Sequence, residues 1–113
     1  MAIKRKQTKN LVVKMAGIPS DSSEFDLRAH YLTQHIPSIG SHYVVLQDGD
    51  VVKGRDHAEH GNVDRRFNKD SVFIELMGIE ESDITPQQRQ SVRGVISRLE
   101  EIYLDAHELD LTH

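Results

Sequence analysis

The feature that most constrains the fold is a long amphipathic helix near the C-terminus, whose start is clearly marked. Thr85 is a good N-cap residue, Pro86 suits the first helical position, and Gln88 completes a capping box. Apolar side chains then recur at helical spacing, at Val92, Val95, Ile96, Leu99, Ile102 and Tyr103. The pattern predicts a helix from about Pro86 to about Tyr103, and its apolar stripe requires another layer to pack against.

Short apolar, β-branched runs predict that this layer is a sheet. The runs cover residues 11–15, 42–47, 51–53 and 71–77. Asp48-Gly49-Asp50 has the residues of a tight turn, so the second and third runs are predicted to form a hairpin. Residues 54–70 are charged and show no periodicity, which predicts a long surface loop.

A second helix is predicted between the first two strands. Phe25, Ala29, Leu32 and Ile36 fall on one helical face, polar residues 20–24 hold candidate N-caps, and Pro37 ends the pattern. The order strand, helix, hairpin, loop, strand, helix predicts an α/β fold, a mixed β-sheet flanked by helices. We expect a single domain over residues 1–113, with a basic N-terminal arm at 1–10 and a short tail at 108–113.

Composition narrows the function classes. The chain has 113 residues and no cysteine, so thiol nucleophiles and cysteine ligands are excluded. No apolar run is long enough to cross a membrane and no secretory signal pattern is present, which favours a cytoplasmic protein. The basic N-terminal end could attract a polyanion or simply act as a solubilising arm. A pI near 5.9 and few aromatic residues argue against a dedicated nucleic-acid binder.

Several local strings, in their order and spacing, resemble the zinc N-acetylmuramoyl-L-alanine amidases, a family that includes amidase-type phage lysozymes and peptidoglycan recognition proteins. The matching strings are Gly40-Ser41-His42-Tyr43-Val44-Val45, Asp48-Gly49, Val52-Lys53-Gly54-Arg55-Asp56, Gly61-Asn62, Asn68, Ser71-Val72, Glu75-Leu76-Met77-Gly78, Thr85-Pro86-Gln87-Gln88 and Ala106-His107. They span roughly residues 11–108. The resemblance implies an amidase-like fold.

The resemblance also implies where the family's site residues would fall. The family holds one zinc ion with three protein ligands and leaves a position for water. The first ligand position is occupied by Lys14, whose ammonium has no lone pair at neutral pH. The second matches His107, and the third would lie beyond His113. The family's assisting tyrosine and loop histidine are replaced by Ser41 and Val63, so we expect the zinc site to be lost.

Other polar residues are alternative candidates. His42 is either a metal ligand or a structural histidine beside the sheet, and His113 could substitute as a ligand. His57 and His60 have a spacing that could bind a metal on a helix, but a surface loop is the simpler interpretation.

Charged residues offer two further candidates. Arg55, Arg65 and Arg66 could bind carboxylates of a peptide stem or of a partner protein. Glu75 could be a buried carboxylate with a shifted pKa. Alternatively it lies at the open face of the sheet or pairs with a lysine, for which Lys14, across the old cleft, is the candidate.

Three functions stay open at this stage. The first is a phage-encoded, catalytically inactive amidase scaffold that binds a peptidoglycan fragment or regulates a protein partner, with no cofactor. The second is an active amidase, an endolysin, with zinc held by atypical ligands. The third is a structural subunit of a phage particle.

Overall fold

The structure is a computed structural model that describes residues 7–113. It contains strands β1 (Asn10–Met15), β2 (Tyr43–Val45), β3 (Val51–Lys53), β4 (Ser71–Leu76) and β5 (His107–Asp110), helices α1 (Glu24–Thr33) and α2 (Pro86–Ile102), and a 3₁₀ turn (Glu81–Asp83). Lys4, Arg5 and Lys6 of the predicted basic arm lie outside the described residues. No described helix is long and apolar enough to cross a membrane.

The five strands form one sheet in the order β3-β2-β4-β1-β5. The sheet is mixed, as the sequence predicted, but neither the strand order nor the fifth strand was predicted. β4 is central and pairs in parallel with β1 and β2, while β2 and β3 form the predicted antiparallel hairpin. Every residue of β4 is buried, including the polar Ser71 and Glu75. Two helices pack on opposite faces of this sheet, in the layered arrangement expected of an α/β domain.

Helix α2 is locked to the sheet by its buried N-terminal glutamine. The Gln88 amide nitrogen donates to the backbone oxygens of Val45 and Met77, at 3.1 and 3.0 Å, and its oxygen accepts from the Thr85 backbone N–H. The capping box therefore does more than start the helix, because it also satisfies carbonyls at the ends of β2 and β4. The apolar stripe of α2 packs against Leu11, Val13 and Ile74.

The predicted orientation of α1 is wrong. Phe25 and Leu32 are 67% and 62% exposed, whereas Leu27 and Tyr31 face the sheet. The helix also ends at Thr33, so Ile36 lies beyond it. Leu27 and Tyr31 are four residues apart and share one face, but the predicted face was the alternative set Phe25, Ala29, Leu32 and Ile36, which also has helical spacing.

The predicted tail is also wrong, because residues 107–110 form edge strand β5. This strand pairs in parallel with β1, from Asn10↔His107 to Val13↔Asp110. Because of its charged side chains, the sequence shows no apolar run at this strand. Charged side chains are typical of a protected sheet edge. Lys9 and Asn10, assigned to the arm, are tied by backbone hydrogen bonds to Asp70.

The segment 54–70 contains no helix or extended strand, as predicted, but it is tightly held. A Cβ atom on Gly61 would lie 2.4 Å from the Phe73 ring, and one on Gly40 would lie 2.3 Å from the Asn62 oxygen. Only glycine permits these approaches, so this loop lies directly on the sheet.

Candidate functional site

The centre of the candidate site is an ion pair at the C-terminal end of β1. The Lys14 ammonium lies 3.6 Å from the Asp64 carboxylate, with 36% of the lysine side chain and 10% of the aspartate side chain exposed. Asp64 comes from the loop between β3 and β4, so the pair ties that loop to the sheet. Lys14 therefore pairs with Asp64, not with Glu75 as the sequence suggested.

Asp64 is held as a carboxylate by several neighbouring donors. The Arg66 guanidinium donates to both carboxylate oxygens, at 3.1 and 2.8 Å, and the Arg66 backbone N–H adds a third bond. Chiefly through these bonds, and with the charge of Lys14 contributing, the pKa of Asp64 is lowered to about 2. The Asn68 side-chain oxygen fixes the turn by accepting from the backbone N–H groups of Val63 and Asp64.

Glu75 lies next to Lys14 in the β1–β4 register and is only 3% exposed. The Tyr31 hydroxyl donates a 2.7 Å hydrogen bond to its carboxylate. Burial raises the pKa of Glu75 to about 7, although this hydrogen bond and the nearby Ser41 and Lys14 favour the charged form. Burial, together with the adjacent carboxylate, also raises the pKa of Tyr31.

Ser41 stands where the resemblance places an assisting tyrosine. Its side chain is fully buried and close enough to Glu75 to stabilise the carboxylate, but its hydroxyl makes no hydrogen bond of standard geometry with a described residue. Because this hydroxyl is buried, it cannot reach a ligand at the surface. Ser41 therefore does not take over the tyrosine's role.

His42 has a structural role, which was one of its two interpretations. Its Nδ1 accepts from the Phe73 backbone N–H at 3.0 Å, so its Nε2 carries the proton that is donated to the Glu59 carbonyl oxygen at 2.9 Å. The ring is fully buried and stacks on Phe73, with 5° between the planes. Both ring nitrogens are occupied, so His42 does not offer a lone pair to a metal ion.

The remaining histidines are dispersed. His107 is exposed at the start of β5, opposite Asn10, four residues or about 13 Å along the strand from Lys14. His113 contacts Glu81 at 3.2 Å, and His57 lies between the hydroxyls of Tyr43 and Tyr103.

The donor set of the described chain does not fit a zinc ion. Within residues 7–113 no group of three or more His, Asp or Glu side chains could hold a metal ion. At the position that the resemblance assigns to the first ligand, the Lys14 ammonium would repel a divalent cation.

The three candidate arginines differ in their environment. Arg55 donates to the backbone oxygens of Ile39 and His60, at 3.1 and 3.0 Å, and thereby holds the loop. Arg66 is engaged by Asp64 and also lies 5.0 Å from the centre of the Phe67 ring. Arg65 is exposed and borders a groove with Arg55.

The sequence comparison decides the family. The model of the N-acetylmuramoyl-L-alanine amidases matches residues 4–112, nearly the whole chain. The chain belongs to the N-acetylmuramoyl-L-alanine amidase family. The chain is 28% identical over 108 residues to the endolysin of Enterobacteria phage K11, covering 88% of this chain and 72% of that protein. It is 27% identical to the endolysin of Klebsiella phage KP32, covering 91% and 74%.

Solved structures confirm the amidase fold. The Ph2119 endolysin of a Thermus scotoductus bacteriophage superposes with a TM-score of 0.83 at 22% identity, covering 96% of this chain and 75% of that one. Drosophila peptidoglycan recognition protein SD gives 0.79 at 14% identity, covering 97% and 73%. The amidase-like α/β prediction is thus confirmed.

Two residues of the site were missed from the sequence. Asp64 and Tyr31 lie far from Lys14 and Glu75 along the chain, and neither belongs to a matching string of the amidase resemblance. Asp64 could have been suspected from the Asp-x-Arg spacing with Arg66, a spacing that also occurs in ordinary loops.

Proposed function

We propose that this member of the amidase family is a phage-encoded protein that binds a peptidoglycan fragment at the Lys14–Asp64 ion pair without cleaving it. The observation that carries the proposal is the ion pair itself. A lysine occupies the position that the family resemblance gives to a zinc ligand, and an aspartate from the neighbouring loop lies 3.6 Å from its ammonium.

The chemistry of Lys14 suits binding better than hydrolysis. An ammonium has three N–H donors, and 36% of the Lys14 side chain is exposed, so Lys14 can donate to a carbonyl or carboxylate oxygen of a peptide stem. It is not a Lewis acid, so it cannot lower the pKa of a bound water molecule towards neutrality, which is the zinc ion's part in amide hydrolysis. Because Ser41 is buried, its hydroxyl adds no hydrogen-bond donor at the surface beside Lys14.

Purified peptidoglycan stripped of anionic polymers tests the proposal. We expect the chain to co-sediment with it and to leave its turbidity unchanged. Lys14→Met should weaken binding, whereas Lys9→Met, an exposed lysine at the opposite end of the sheet, should not. Absence of co-sedimentation, or equal binding by both variants, would contradict the proposal.

A second candidate is an active amidase, favoured by the relatives, which are named endolysins. In that case zinc would have to be held by a set of ligands that the described residues do not bring together in this structure. Loss of turbidity that depends on added zinc would identify this activity.

A further inference from the structure

Two adjoining grooves run beside the 54–70 loop and form one continuous surface. Their volumes are about 400 and 570 Å³, and both are lined by Pro37, Ser38, Arg55 and Glu59. We call this surface the basic groove. Neither Lys14 nor Asp64 lines it, so the basic groove is a different site from the Lys14–Asp64 ion pair.

The groove concentrates positive charge on an acidic chain. Its cationic side chains are Arg28, Lys53, Arg55, Arg65 and Lys69, and its carboxylate is Glu59. The whole chain has a formal net charge of −4. A concave surface lined mainly by one sign of charge focuses its field and attracts ligands of the opposite sign.

These cations are available to a ligand. The side chains of Lys53, Arg65 and Lys69 form no hydrogen bond or ion pair with any residue in 7–113. Arg55 uses three of its five N–H donors on Ile39, His60 and Ser38, which fixes its guanidinium and leaves two donors. Arg66, in contrast, is neutralised by Asp64 and does not line the groove.

The arrangement selects among anionic ligands. Arg28 and Lys53 line one groove, Arg65 and Lys69 line the other, and Arg55 lines both. The cations are thus distributed over the whole surface, which suits a ligand with repeated charges. No Phe, Tyr or Trp side chain lines it, so nucleic-acid bases would have no stacking surface. Lysine ammonium groups serve as point-charge contacts to phosphate, and arginine also binds phosphate well. We propose that the basic groove binds a flexible, unbranched polymer with repeating phosphate groups and no bases.

Titration of the labelled 113-residue chain with sodium polyphosphate, followed by fluorescence anisotropy, tests this proposal. Arg65→Gln combined with Lys69→Gln should weaken binding by about tenfold or more, because the pair removes two of the five cations that line the groove. The matched control combines Lys9→Gln with Arg98→Gln, which removes the same charge from exposed positions outside the groove. The control should bind like the parent, and Glu59→Gln should bind more tightly.

Three results would overturn the proposal. Equal weakening by both double variants would show that only net charge matters. Tighter binding of an oligothymidylate of the same charge would assign the groove to nucleic acid. Equal binding of poly-glutamate would remove the preference for phosphate. Circular dichroism of each variant establishes that the fold is retained.

Discussion

The hydroxyl of Tyr31 in helix α1 donates to the buried carboxylate of Glu75 in the central strand, at 2.7 Å. This bond joins helix α1 to the sheet, at the residue that lies next to Lys14 in the β1–β4 register. It also leaves a titratable group in the core with its pKa raised to about 7.

Glu75 should make stability depend on pH. Its pKa is about 7 in the folded protein and near 4.5 when unfolded, so folding favours the protonated form. This contribution to the free energy of unfolding is complete below pH 4.5 and is lost as pH rises through 7. Urea unfolding should therefore show a loss of about 3 kcal/mol at most between pH 5 and pH 8 that Glu75→Gln does not show. Glu100→Gln, on the exposed side of α2, is the control and should keep the loss.

Tyr31→Phe should destabilise the protein by about 1–3 kcal/mol at pH 8, because it leaves a buried carboxylate without its donor. The cost should be smaller at pH 5, where the carboxyl group is protonated. A double-mutant cycle with Glu75→Gln measures the coupling between the two side chains. Independent, additive effects at pH 8 would show that the hydrogen bond does not contribute.

Asp64 should titrate near pH 2, with Arg66 responsible for more of the shift than Lys14. Carboxyl carbon chemical shifts followed by NMR report its midpoint directly. Arg66→Gln should raise that midpoint most, and Lys14→Met should raise it less. A midpoint close to 3.8 in the parent chain would mean that the network around Asp64 is not formed.

Gln88→Leu should be strongly destabilising, by about 2–4 kcal/mol, because two backbone oxygens and the Thr85 N–H lose their partner. Gln90→Ala, on an exposed face of the same helix, should change stability by less than about 0.5 kcal/mol. Chemical unfolding of both variants checks the prediction. Similar stabilities would show that the buried amide is not needed to hold α2 on the sheet.

Much of the fold could be predicted from the sequence because its signals are local. The capping residues of α2, the turn at Asp48-Gly49-Asp50 and the apolar run of β4 each specify their own element. The face of α1 that packs on the sheet could not be predicted, since it depends on the hydrogen bond between Tyr31 and Glu75, which are 44 residues apart. Strand β5 was missed because its charged edge sequence carries no apolar pattern.

The candidate site was predictable only in part. Lys14, Ser41 and Val63 were singled out through the amidase resemblance, and the burial of Glu75 was one of the alternatives considered for it. Asp64 was not predicted as the partner of Lys14. The loop that carries Asp64 is positioned by Asn68 and by close glycine contacts, and neither produces a periodic pattern in the sequence. Long-range pairing between a strand and a loop is a tertiary property.

The most direct test of the account is the zinc content of the purified chain, measured by mass spectrometry after chelation and back-titration, alongside the turbidity of purified cell walls. The account predicts well under one zinc ion per chain and no lysis with or without added zinc. One zinc ion per chain, together with zinc-dependent lysis, would contradict it.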